Sequence, residues 1–214
     1  MNELLSPLYF VFKHASSEVI DLDESIFPME LWKDDVSSDS FLTHPVTSVE
    51  ADVFFVFTQI MSRQRDNFIE TLDHDSKHGI RSKMLEISHI ISRFDPPVHA
   101  HLNSLSIDPQ FYALRWISVL LAQDFSLTET IRIWDSLFSC IDTRRCFVLY
   151  FCASMVLSLK KDLLQADFAT VLSLLQHYSI DDLEEVVTKA RKMYLRDEQL
   201  VSKKERKKDK KSCE

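Results

Sequence analysis

Apolar residues recur along most of the chain at spacings of three and four, the interval that gathers them on one face of a helix. Ile80, Met84, Ile87, Ile91 and Phe94 set one such stripe, and Ile180, Leu183, Val187, Ala190 and Tyr194 set another. Helix starts are marked by capping residues. Thr47-Ser48-Val49-Glu50 and Ser126-Leu127-Thr128-Glu129 both fit the capping box, in which a Ser or Thr and a Glu three residues on satisfy each other's free backbone N–H groups. Asp95-Pro96 and Asp108-Pro109 put an acid at the N-cap and a proline at the first helical position. Read together, these signals predict helices over Val49 to about Arg63, Pro109 to about Ala122, Leu127 to about Phe138 and Thr143 to about Lys161. Further helices are expected over Ile80–Phe94, Asp167–Tyr178 and Ile180 to about Leu200, with a short one over Asp66–Leu72 and Gly79 in a turn outside these helices.

Two segments are apolar nearly all round, which is the mark of a central helix. In the first, from Asn2 to Ala15, Pro7 predicts a kink or a late start. The second runs from Ala51 to Phe57 and carries Phe54, Phe55 and Phe57. Between them, Glu18 to Asp39 holds eight acidic residues and one lysine with little periodicity, so 18–46 reads as an acidic loop. About nine helices result, with no fixed-period repeat and no alternating strand pattern, and the fold class predicted is all-α.

Composition sharpens this. The chain of 214 residues has one glycine, Gly79, where about fifteen would be average. A dinucleotide fingerprint needs three glycines and a P-loop at least two, so both are excluded. The net charge of −8 is uneven, since Val201–Glu214 carries seven basic residues against three acids. That leaves −12 on the rest, which does not suit a nucleic-acid groove, so no nucleic-acid partner is expected. The basic end reads as a charged, disordered tail over 196–214 that at most touches a membrane peripherally.

Little in the sequence supports a catalytic or metal centre. Cys140, Cys146 and Cys152 have five residues between neighbours, which is not CxxC spacing, and they read with Cys213 as reduced thiols, the first three buried. His99 and His101 stand two apart and point to different sides of a helix. His74 and His78 have ligand spacing but no HExxH glutamate. No nucleophile elbow is present, and no cofactor is expected. Charges inside apolar helices are more informative: Asp52, Arg115 beside Trp116, and Asp135. A buried charge must be paired, so Arg115 is expected to be mostly buried against Asp135, Asp52 or backbone carbonyls, or else to line a partner groove.

Three stretches together resemble the TBC domain of Rab GTPase-activating proteins, most closely its member-thirteen branch. They are Glu50-Ala-Asp-Val-Phe-Phe55, Pro109-Gln-Phe-Tyr-Ala-Leu-Arg-Trp116, and Ile131-Arg-Ile-Trp-Asp-Ser-Leu-Phe138 read with Leu121-Ala-Gln-Asp-Phe125. The resemblance runs from Met1 to about Met193. It implies an all-helical domain that grips a Rab-family GTPase, of which 1–195 would be the C-terminal lobe and the end of the N-terminal lobe. The family takes an arginine finger from IxxDxxR and a glutamine finger from YxQG. Neither pattern occurs here, and Met1-Asn2-Glu3 looks like the residues just after the glutamine motif. The resemblance therefore implies a regulator of Rab GTP hydrolysis, not itself an enzyme, in a chain that lacks both fingers and is inactive alone. It implies a cytoplasmic protein recruited to endomembranes. The competing expectation is a noncatalytic helical Rab-binding or scaffold module. Asn2, Glu3, Glu50, Asp52, Arg115, Trp116 and Asp135 are expected to be partner-binding or structural residues of the motif.

Overall fold

The computed structural model describes residues 2–19, 45–68, 79–139, 146–179 and 182–211. Most of the acidic loop, His74, His78, Cys140, Thr143, Ile180 and Cys213 lie outside these residues. Ten α-helices and no strand occur among the described residues, as an all-α chain requires. The chain divides into two compact units, Met1–Arg65 and Asp66–Glu214.

The first unit is the helix α1, Asn2–Val19, packed along α2, Pro45–Gln64. α1 begins at Asn2 and runs through Pro7, so the late start is not seen. α2 begins at Pro45, which places Thr47 inside the helix instead of at its cap. Proline suits the first helical position because its missing N–H has no intrahelical partner there. The expectation that α2 is central is overturned. Val49, Val53 and Ile60 are buried, but Phe54 and Phe55 are 63% and 66% exposed. Two packed helices can cover only one stripe of each other, and neither Phe54 nor Phe55 is on the buried stripe.

The second unit is built around α7, Phe147–Ser158. Every α7 residue from Phe147 to Leu157 is buried. It packs against α3 (Gly79–Phe94), α5 (Ala113–Ser118) and α10 (Leu183–Lys211). α4 (Pro96–Ser104) lies on α3. α8 (Lys160–Leu163) and α9 (Phe168–Gln176) follow α7, and α6 is Leu127–Ser139. Among the described residues no helix is long and apolar enough to cross a membrane.

Polar groups staple these helices together. Asp197 of α10 is buried and accepts from Arg93 Nη2 of α3 at 2.6 Å and from Tyr150 Oη of α7 at 3.0 Å. Ser154 Oγ of α7 donates to the Val186 carbonyl at 2.9 Å. Asp95 caps α4 by accepting from Val98 N at 3.3 Å and also takes Lys160 Nζ at 2.6 Å. The Ser126 box forms as expected, with Ser126 N and Oγ donating to Glu129 Oε2 at 2.9 and 2.7 Å. Gly79 does not sit in a turn; it is the first residue of α3, with a φ of 83° that glycine adopts without a Cβ penalty. α10 continues past Leu200 to Lys211, so the boundary placed at 196 falls inside a helix.

Candidate partner-binding site

The segment expected to form one helix from Pro109 to Ala122 is broken twice. Asp108 Oδ1 accepts from Gln110 N at 2.9 Å and starts a 3-10 turn over Pro109–Phe111. α5 then covers only Ala113–Ser118 and stops at Val119. Leu120 and Leu121 follow with φ of 49° and 68°, the left-handed region that residues with a Cβ avoid. Leu121 N donates back to the Trp116 carbonyl at 2.9 Å, the long closing bond of a helix C-cap. Both leucines are buried, and Trp134 Nε1 of α6 donates to the Leu120 carbonyl at 2.8 Å. Burial and this bond hold a conformation that costs on the order of 1–2 kcal/mol per residue.

The reversal brings Asp124 to Arg115. Arg115 Nε donates to Asp124 Oδ2 at 3.3 Å, and Nη2 makes a short bond to Asp124 Oδ1. The same Nη2 donates to the Gln176 carbonyl at 2.8 Å. Gln176 is the last residue of α9, so the guanidinium meets the negative end of that helix. Gln176 Nε2 returns a bond to the Phe111 carbonyl at 3.0 Å. Arg115 thus ties together α5, the turn after it and the end of α9.

This corrects two expectations. The acid partner is Asp124, not Asp135 or Asp52. And the buried member of the pair is the acid: the Asp124 side chain is 3% exposed and that of Arg115 is 45% exposed. Asp135 is exposed on α6, where its side chain makes no hydrogen bond or ion pair with the described residues. Glu50 and Asp52 are exposed on α2, and Asn2 and Glu3 occupy the first turn of α1. Arg115 and Trp116 are adjacent but opposed. Trp116 is fully buried, with Tyr112 at 5.2 Å and Tyr178 at 6.1 Å between ring centroids, so its part is structural.

Beside Arg115 a recess of about 350 Å³ is lined by Gln110, Phe111, Tyr112, Leu114, Gln176 and His177. Phe111 and Leu114 are 43% and 44% exposed. Exposed apolar side chains around a half-exposed arginine suit contact with a protein partner, in which aromatic and Arg residues are enriched. Acid–base or nucleophilic chemistry finds no support here. Burial pushes the Tyr112 phenol and the Cys152 thiol far up, which keeps both protonated. No group of three or more His, Cys, Asp or Glu that could hold a metal occurs among the described residues. The two helical histidines do diverge, His99 Nε2 to Ser88 Oγ at 3.2 Å and His101 Nε2 to the Ala166 carbonyl at 3.2 Å. Of the thiols, Cys152 is buried as expected, while Cys146 is exposed ahead of α7.

Known proteins place this architecture. A human protein, TBC1 domain family member 13, is 37% identical over 193 residues, which is 90% of this chain and 42% of that protein. The Schizosaccharomyces pombe TBC domain-containing protein C1952.17c is 32% identical over 85% of this chain and 28% of its own length. The chain therefore spans less than half of these relatives. In three dimensions it is similar to the Ypt/Rab-GAP domain of Gyp1p, with a TM-score of 0.66 over 91% of this chain and 57% of that one, at 19% identity. The family model of the Rab-GTPase-TBC domain matches residues 1–164. On these grounds the chain belongs to the Rab-GTPase-TBC domain family.

Proposed function

We propose that this chain is the Rab-gripping, finger-less part of a GTPase-activating domain, and that by itself it does not accelerate GTP hydrolysis. The observation that carries the reading is a TBC family match over 1–164 in a sequence with neither IxxDxxR nor YxQG. Phosphoryl transfer is catalysed mainly by positioning and by charge placed at the γ-phosphate, and an arginine finger is worth roughly 10³–10⁵ in rate. Arg115 is no substitute, because three hydrogen bonds hold its guanidinium to Asp124 and Gln176. The contact surface we assign is the recess with Phe111, Leu114 and the outer face of Arg115. Glu50, Asp52 and Asp135 are further exposed positions for a GTPase to touch, and the first turn of α1 offers Asn2 and Glu3 for the same contact.

The GTPase reading also supplies the cellular setting: a cytoplasmic protein that meets a membrane-attached Rab and touches that membrane peripherally through its basic end. Single-turnover GTP hydrolysis on a panel of Rab proteins tests the main claim. The expected result is no stimulation by this chain, with weak binding reduced by Phe111→Asp. Stimulation of about tenfold or more by the chain alone would place catalytic groups where none is assigned.

A further inference from the structure

The charge and the length of α10 meet at one end of the helix. Its inner portion is held in the second unit by buried Val186, Val187, Ala190, Met193, Tyr194 and Asp197. Further along, Gln199 and Leu200 are exposed. The helical backbone nevertheless continues to Lys211. Residues 201–211 contain seven Lys or Arg and two acids, Glu205 and Asp209, for a net charge of +5. From Leu200 to Lys211 a rise of 1.5 Å per residue gives about 16 Å. That is roughly twice the screening length of about 8 Å at physiological ionic strength. The charge of +5 on this end contrasts with the −12 carried by residues 1–200.

We infer that the basic C-terminal end of α10 is an electrostatic arm for the anionic headgroups of a lipid bilayer. This deepens the peripheral-contact reading above and rests on it. A planar charged surface suits the arm because each basic residue near such a surface adds about 1 kcal/mol and the contributions sum without a shaped site. RNA is the other polyanion, but its binding to single strands relies on aromatic stacking platforms, and residues 201–214 contain no aromatic side chain. With no apolar anchor beside the charge, the association is reversible and salt-sensitive.

Co-sedimentation of the full chain with vesicles provides the test. The two compositions are phosphatidylcholine alone and phosphatidylcholine with about 30% phosphatidylserine. Compared with the native chain are a variant carrying Lys203→Gln, Lys204→Gln, Lys207→Gln and Lys208→Gln, and a chain ending at Leu200. Matching thermal melts establish that all three fold alike. The expected result is binding to the serine-lipid vesicles only, lowered about tenfold or more by the four substitutions and by raising salt to about 0.5 M. Equal binding of the native and substituted chains, or equal binding to both lipids, overturns the inference. If the shortened chain loses binding while the substituted chain keeps it, the charge mechanism fails and the peripheral-contact reading stands. Unchanged binding by the shortened chain sinks both. Binding to homopolymeric RNA with none to serine-lipid vesicles also overturns it.

Discussion

Replacing Arg115 by alanine removes three hydrogen bonds from one guanidinium, two to Asp124 and one to the Gln176 carbonyl. What remains is a carboxylate whose side chain is 3% exposed. Breaking a fully buried pair costs about 3–5 kcal/mol because the surviving charge is stranded, whereas exposed pairs are worth about 0–1. The Arg115 side chain is 45% exposed, so water can enter the space it leaves and solvate part of Asp124. The loss should therefore lie between these limits, at about 2 kcal/mol. For a domain of this size that lowers Tm by roughly 4–8 °C. Urea and thermal unfolding would measure it. Arg115→Lys should recover less than half, since an ammonium cannot reach two carboxylate oxygens and a carbonyl in one plane. In a double-mutant cycle with Asp124→Asn, the two losses should be strongly non-additive, because the second substitution removes the stranded charge. Additive losses, or an Arg115→Ala variant within about 0.5 kcal/mol of the native chain, would refute the pairing argument.

Three further outcomes are expected. Arg132 grips Glu184 through two bonds of 2.7 and 2.8 Å, but the side chains are 43% and 59% exposed, so Arg132→Ala should cost less than about 1 kcal/mol in the same unfolding assay. Trp134→Phe keeps most of the packing and leaves the Leu120 carbonyl without its indole donor, a loss of about 1–3 kcal/mol that urea unfolding should register. The Glu129 carboxyl is held below its usual 4.5 by hydrogen bonds from the Ser126 hydroxyl and then the Ser126 backbone. A depressed carboxylate stabilises the fold above its unfolded value, and the contribution is lost as pH falls through the folded one. Thermal melts of the native chain and Glu129→Gln should therefore differ at neutral pH and converge as pH is taken below 4.5; a gap that widens on acidification would reverse the sign of this argument.

Local chemistry in the sequence was enough for the caps at Asp95, Asp108 and Ser126, because each needs only residues two or three positions away. The periodic stripes likewise identify α3 and α10. The break after α5 was not legible. Val119, Leu120 and Leu121 include no glycine or proline, and nothing local forbids a helix through them. Tertiary contacts impose the left-handed turn: burial of both leucines and the Trp134 bond to the Leu120 carbonyl. That error hid the partner of Arg115. In a continuous helix a residue nine positions on lies about 180° around the axis, and only the turn after α5 brings Asp124 back to Arg115. Asp197 and Arg93 were missed for a related reason. They are 104 residues apart, and no spacing rule links them.

The stretches that make the family legible are those with the most demanding local geometry. Arg115, Trp116, Asp124 and Trp134 serve one corner in which two non-glycine residues sit at positive φ. Trp116 contributes the carbonyl that closes the helix, and Trp134 secures the carbonyl of the next turn. Arg115, Asp124 and Trp134 act through a donor or acceptor at the end of the side chain, which few other residues could supply there, while Trp116 adds a main-chain carbonyl and a buried ring. A motif of this kind marks the scaffold, and a scaffold match leaves partner choice open. Under the proposed function, discrimination among GTPases would then rest on side chains that the corner displays without depending on them. Phe111, Leu114 and His177 meet that condition: they line the recess, and none of their side chains holds Arg115. Substitution at these positions should shift partner preference with little change in stability, whereas substitution at Trp116 or Trp134 should do the reverse.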